Sequence, residues 1–264
     1  MGYFISSLIK GMDSVEELAE WIDSKPYPDL GIELIAFTHD EKYWNNLRRI
    51  LEKTTCPVTF HGPYINVEAT SAEGSAEYDW LMESYNKVFA LAQEYGVKHV
   101  VFHYTQKGFQ PDTIESAKNI SQKNIMTLIE LAERYKVDML IENLAFPKNG
   151  LPLYNNDEYS ALFDDNPRAL SIIDIGHAHI NKLDLEQFLK SYGDRVKAYH
   201  LHNNDGINDL HNRIMDGTFD YSNFFRLYKK YTPDADIVLE YEPHTNMSYN
   251  DIFCELYYLD KYLR

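Results

Sequence analysis

The chain of 264 residues lacks several features that would place it in a specialised class of protein. It has two cysteines, Cys56 and Cys254, which lie far apart and form no CxxC pattern, so a disulfide framework is not expected. With 12 Gly and 10 Pro it has too few of either for a disordered chain. No apolar run approaches the roughly 18 residues of a membrane span, and the first residues carry no secretory signal. We therefore expect a cytoplasmic protein with reduced cysteines and no membrane partner.

Basic residues are also scarce. The chain has 25 Lys and Arg against 41 Asp and Glu, which gives a formal net charge of −16. Such a charge repels polyanions, and a protein that binds duplex DNA needs many phosphate contacts along its surface. The composition therefore disfavours nucleic acid as a partner and favours a small substrate.

What the chain does have is ample hydrophobic material, at 44% of residues, in strands that alternate with helices. The pattern predicts eight short strands and intervening helices, which close most simply into a single (β/α)8 TIM barrel of the α/β class over residues 1–264. The predicted strands are Tyr3–Leu8, Gly31–Phe37, Pro57–Phe60, Val97–Phe102, Val137–Ile141, Leu170–Ile173, Val196–Leu201 and Asp236–Leu239. The predicted helices begin at Ser14, in a capping box with Glu17, and then include a helix around Tyr43–Leu51, Ala76–Tyr95, Ser116–Tyr135, Leu185–Tyr192, Tyr221–Tyr231 and Ser248–Leu263.

Potential metal ligands follow these strands one after another. Because the carboxyl ends of barrel strands meet at one rim, these side chains should converge there. Imidazole and carboxylate ligands without thiolate suit a divalent ion, with Zn²⁺ the first choice and Mn²⁺ the second. The nine candidate ligands are His61, His103, Glu142, Asp174, His177, His200, Asp209, His211 and Glu240.

Seven short motifs, in this order, resemble a known family. They are GIELIAF, FHGPYINV, VVFHY, LIENL, IIDIGHAH, YHLHNNDG with DLH, and IVLEYE, and they extend from Gly31 onward. They are similar to motifs of the xylose isomerase-like TIM barrel superfamily, which includes endonuclease IV and many sugar-phosphate isomerases and epimerases.

The resemblance implies up to three zinc ions in three groups of ligands. His61, His103 and a bridging Glu142 would hold the first ion, and His177, Asp209 and His211 the third. The second ion would have the ligands Glu142, Asp174, His200 and Glu240, the group that isomerases and epimerases of the superfamily usually keep alone.

The full ligand set favours, as the leading hypothesis, a metal-dependent phosphoester hydrolase acting on a small sugar-containing phosphate. The alternative is a sugar or sugar-phosphate isomerase or epimerase that uses one ion, with Glu142 and Glu240 moving a proton. An abasic-site DNA endonuclease is a further alternative, since Tyr64 matches a tyrosine of endonuclease IV, and a non-catalytic ligand-binding barrel is another. Ketose 3-epimerases of the superfamily carry Glu and Arg where this chain has Lys148 and Gly206.

Four residues in or near the loops after the strands are candidates for binding substrate. His202 shares strand parity with His200, while the others follow strands where a barrel places its site. The four are Tyr64, Lys148, His202 and Arg213.

Overall fold

The computed structural model describes residues 1–11, 14–25, 27 and 29–264, and it confirms the predicted barrel. Each strand pairs in parallel with the next, and the first pairs with the last, so that the sheet closes. The strands are β1 Tyr3–Ser6, β2 Leu30–Ile35, β3 Val58–His61, β4 His99–Phe102, β5 Asp138–Glu142, β6 Leu170–Asp174, β7 Val196–Leu201 and β8 Asp236–Leu239.

Helices follow the strands along the chain. They are α1 Val15–Asp23, α2 Glu41–Lys53, α3 Ala76–Tyr95, α4 Ile114–Tyr135, α5 Asn156–Asp165, α6 Ile175–Asn181, α7 Leu185–Tyr192, α8 Tyr221–Tyr231 and α9 Tyr249–Leu263. Within the described ranges, no helix combines the length and the apolar character that crossing a bilayer requires.

The first elements differ from the prediction. The strand β1 ends at Ser6, and Ser7–Lys10 form a 3-10 helix instead of its last residues. The predicted capping box at α1 is wrong, because Ser14 makes no side-chain hydrogen bond to the helix. Its ψ of 15° departs from the extended conformation in which an N-cap side chain reaches the first free N–H groups.

Two helices were not predicted. The helix α5 begins at a capping box in which Asn155 and Glu158 satisfy each other's main-chain N–H groups. The helix α6 begins at Asp174, whose side chain accepts a hydrogen bond of 2.6 Å from the main-chain N–H of His177. A candidate ligand therefore also caps the helix that carries the next one.

The interior of the barrel explains where the site lies. One apolar layer consists of Val101, Leu140, Ile172 and Ala198, on four consecutive strands. Because side chains alternate along a strand, the residue two positions further on points to the same interior. These residues are His103, Glu142, Asp174 and His200, which form the next layer toward the carboxyl ends of the strands.

At the other end of the barrel, Phe4 fills the interior next to Gly31. A Cβ atom on Gly31 would lie 2.5 Å from the Phe4 ring and 2.4 Å from the carbonyl oxygen of Pro57. Only glycine therefore fits beside this ring. The packed side chains close this end of the barrel. The open end is therefore the rim that carries the polar layer.

Candidate metal centre

The centre of the site is His200, which is fully buried. Its Nδ1 has no hydrogen-bond partner among the described residues. Three carboxylates face this atom instead: Nδ1 lies 3.4 Å from Glu240, 3.5 Å from Glu142 and 3.9 Å from Asp174. A lone imidazole nitrogen surrounded by carboxylate oxygens in a buried site fits a divalent cation.

The other ring nitrogen of His200 is held by Glu33. The Nε2 of His200 lies 3.1 Å from Oε1 of Glu33, and both side chains are fully buried. Metal-binding histidines are commonly oriented in this way by a carboxylate on their second nitrogen. Glu33 is not among the predicted site residues, although a carboxylate inside the apolar strand β2 is a usable signal, because a buried charge requires a partner.

The first predicted group, His61, His103 and Glu142, is brought together. The Oε2 of Glu142 lies 2.7 Å from Nε2 of His103 and 4.0 Å from Nε2 of His61. The Nδ1 of His61 donates to the carbonyl of Gly62 over 3.1 Å, so that its Nε2 turns toward the carboxylate. The side-chain amide of Gln106 lies 2.8 Å from Nδ1 of His103, a contact that the sequence analysis did not foresee.

The third predicted group is also brought together. The Oδ2 of Asp209 lies 3.1 Å from Nε2 of His177 and 3.3 Å from Nε2 of His211. Each histidine uses its Nδ1 to donate to a main-chain carbonyl, that of Asn143 for His177 and that of Glu240 for His211. Both rings therefore present Nε2 to the shared carboxylate.

His202 lies behind this group. It is fully buried, and its Nε2 lies within 3.1 Å of Asp174. Its ring stacks on that of His211 with centroids 4.0 Å apart, and a Cβ atom on Gly176 would lie 1.9 Å from it. The structure thus places His202 where it can orient Asp174 and His211, away from the open cavity.

Burial and mutual charge shift the pKa values of these groups. Burial lowers the pKa of His61 to about 4, which keeps its imidazole neutral. Burial opposes charge on His211 as well, but Asp209 and Glu240 outweigh it and raise its pKa to about 10. Burial raises the pKa of Glu240 to about 8, while histidines outweigh burial at Glu142 and hold its pKa well below the usual value. Negative charge is concentrated enough here to suit a divalent cation.

A cavity of about 340 Å³ opens above the ligands. Tyr64 lines it, as do Tyr104 and Tyr154 from the following loops. Lys148 is exposed in its loop and does not line the cavity. Arg213 does not line it either, because its Nε lies 3.3 Å from Glu255 on α9. The residues between β5 and α5 give the cavity an apolar wall that includes Leu144, Ala145, Phe146, Pro147, Pro152 and Leu153.

Comparisons with known proteins relate the sequence and the fold of the chain to a family. An uncharacterized protein of Methanocaldococcus jannaschii, MJ1614, is 31% identical over 144 residues, which cover 54% of this chain and 55% of that protein. The fold is similar to a D-tagatose 3-epimerase-like protein, with a TM-score of 0.80, 19% identity and coverage of 100% of this chain and 97% of the other. It is also similar to the IolI protein with a bound zinc atom, with a TM-score of 0.75, 15% identity and coverage of 99% of both chains.

At these identities the two structural similarities establish the fold alone. The sequence model of one family, however, matches residues 10–252, which is most of the chain. The chain belongs to the xylose isomerase-like TIM barrel family.

Proposed function

We propose that the chain is a metal-dependent isomerase or epimerase of a small, uncharged sugar. The observation that carries the proposal is the unpartnered Nδ1 of His200, with carboxylates of Glu142, Asp174 and Glu240 within 3.9 Å. Together these four residues would hold one divalent ion. When bound, the ion would polarise a sugar carbonyl and so acidify the adjacent C–H group.

Glu142 and Glu240 supply the proton transfer. Each lies within 3.5 Å of the same ring nitrogen of His200, and each has a carboxylate at the base of the cavity. One carboxylate takes the proton from the carbon beside the carbonyl, and the electron pair of the C–H bond moves into an enediolate. The other residue, which starts as the protonated carboxylic acid, gives its proton to a carbon of that enediolate and becomes a carboxylate, as the carbonyl re-forms and epimerisation or isomerisation is completed.

The charge of the cavity supports an uncharged substrate. Its lining carries four carboxylates, from Glu142, Asp209, Glu240 and Glu242. Lys107 is the one lysine or arginine that lines it in the described part of the chain, and its Nζ lies 3.8 Å from Glu68. Among the described residues the lining therefore offers a phosphate group no unpaired lysine or arginine, which disfavours an anionic substrate. The volume of 340 Å³ is within the range of small-molecule sites.

Phosphoester hydrolysis is the second candidate, and a specific observation favours it. The two outer groups contain histidines whose Nδ1 is fixed by a main-chain carbonyl, which leaves Nε2 free to bind a metal. Occupancy of all three groups would make the lining net positive and suitable for a phosphate. The metal count therefore separates the two reactions.

The test is a pair of assays on protein whose zinc and manganese content has been measured by plasma emission spectroscopy. The protein is incubated in D2O with a panel of ketoses, and deuterium at the carbon beside the carbonyl is followed by NMR. A parallel assay uses an aryl phosphodiester and a sugar phosphate. We expect deuterium incorporation at one ion per chain, and its loss in Glu240→Gln.

Two results would oppose the proposal. Absence of deuterium exchange across the panel at one ion per chain would refute it. Turnover of the phosphoester that requires two or more ions per chain would establish the second candidate instead.

A further inference from the structure

The backbone at His211 is in an unfavourable conformation. Its φ is +45°, in the left-handed region that residues with a side chain rarely adopt. Such a conformation persists only where neighbouring contacts enforce it. At His211 it directs Nδ1 to the carbonyl of Glu240, 2.9 Å away, and Nε2 to Asp209.

Main-chain contacts also fix His211 and the residue that follows it. Asn212 and Asn203 exchange two main-chain hydrogen bonds of 2.9 and 3.0 Å, and the carbonyl of His211 accepts from the main-chain N–H of Glu242. These bonds tie the long loop after β7 to the ends of β7 and β8. None of them reaches the outer layer of helices.

Glu255, on the C-terminal helix α9, supplies that link. It is 4% exposed, and its two carboxylate oxygens bind different segments of the rim. Oε1 accepts from the hydroxyl of Tyr241 over 3.2 Å, and Oε2 accepts from Nε of Arg213 over 3.3 Å. Tyr241 directly follows the candidate ligand Glu240, and Arg213 comes two residues after His211.

We infer that Glu255 is a positioning residue for the third group of ligands. It clamps the segment that carries Glu240 to the segment that carries His211, and thereby holds His211 in its left-handed conformation. The clamp is a property of the protein chain and does not depend on the single ion of the proposed function; metal binding by the third group belongs to the second candidate function. It gives α9 a role in the site although none of its residues lines the cavity.

The test uses Glu255→Gln, which keeps the shape and an acceptor for Tyr241 but removes the charge that pairs with Arg213. Asp260→Asn is the matched control, since Asp260 is on the same helix and pairs with Arg264. Hydrogen exchange of the metal-free proteins is followed in peptides that cover residues 203–214. Zinc binding is then measured by titration of each protein.

In Glu255→Gln we expect exchange in this loop to rise about tenfold, because the substitution weakens the part-buried, charge-assisted hydrogen bond between Arg213 and Glu255. Exchange in the strands should stay within about twofold, as should exchange everywhere in Asp260→Asn. Where the titration detects more than one ion per chain, zinc binding to the third group should fall by a similar factor. Exchange in Arg213→Lys should lie between that of wild type and that of Glu255→Gln.

Unchanged exchange in residues 203–214 of Glu255→Gln would refute the clamp, and a uniform rise across the barrel would reduce Glu255 to a general stabilising role. If wild type bound no metal, the proposed function would fail, whereas the exchange result would still decide the role of Glu255. Faster exchange with unaltered zinc affinity of the third group would show that the clamp does not position His211.

Discussion

The contact between Glu33 and His200 offers a direct test of the central metal group. Glu33→Gln replaces the carboxylate by an amide of the same shape, which can still accept a hydrogen bond from Nε2 of His200 at about the present 3.1 Å. The substitution therefore removes charge and little else. Loss of a carboxylate behind a metal-binding histidine typically costs 10–100-fold in metal affinity, or about 1.4–2.7 kcal/mol. Since the hydrogen bond can persist, we expect about tenfold for Glu33→Gln and a larger loss for Glu33→Ala.

The assay is a competition titration of chelator-treated protein with Zn²⁺ and a chromophoric chelator. Asp236→Asn is the matched control, because Asp236 is a buried carboxylate at the opposite end of the barrel, where it binds Lys98 and the main-chain N–H of Gly2. The control should lower the melting temperature without changing zinc affinity. A Glu33→Gln protein that binds zinc within twofold of wild type would show that His200 is not oriented by Glu33 for metal binding.

Two further predictions concern the scaffold. Gly31→Ala should lower the free energy of unfolding by about 1–3 kcal/mol or more, because its Cβ would lie 2.5 Å from the Phe4 ring. Urea unfolding measures this loss. A loss no larger than that of Gly193→Ala would contradict the prediction. Glu158→Gln should cost about 0.5 kcal/mol at neutral pH, because it keeps the capping box of α5 but removes the charge that pairs with Lys118. Burial raises the pKa of Glu158, but Lys118 and the main-chain N–H of Asn155 outweigh it, so the folded pKa lies below the ordinary 4.5. The stabilisation is then present above that value and should vanish as pH falls through the folded pKa, and a pH-independent difference from wild type would exclude this origin.

The convergence of four of the nine candidate ligands could be predicted because strand geometry determines the direction of their side chains. Each of these four follows an apolar residue of the barrel interior by two positions. Because side chains alternate along a strand, all four point to the same interior. They are His103, Glu142, Asp174 and His200. The same reasoning did not find Glu33. Its partner His200 is 167 positions away, and the contact depends on closure of the barrel, which brings β2 opposite β7.

For residues in loops, the sequence predicts which strand they follow but not the direction of their side chains. Tyr64 lines the cavity as expected, whereas Lys148 is exposed and does not line it. Arg213 follows a strand too, but it turns outward to Glu255 on the last helix. The direction of a loop side chain depends on turns and distant partners that the spacing of residues does not specify.

The choice between the two candidate reactions comes down to charge at one cavity. The central group would hold one ion with Glu142, Asp174, His200 and Glu240, whose carboxylates all face Nδ1 of His200. Lys107, which pairs with Glu68, is then the one lysine or arginine that the described residues bring to the lining, and this favours a neutral sugar. The outer groups are equally well oriented, because main-chain carbonyls fix the Nδ1 of His61, His177 and His211. Each additional divalent ion adds two positive charges beside the substrate. The same side chains therefore suit a neutral or an anionic substrate according to how many ions they hold, and metal stoichiometry is the measurement that assigns the reaction.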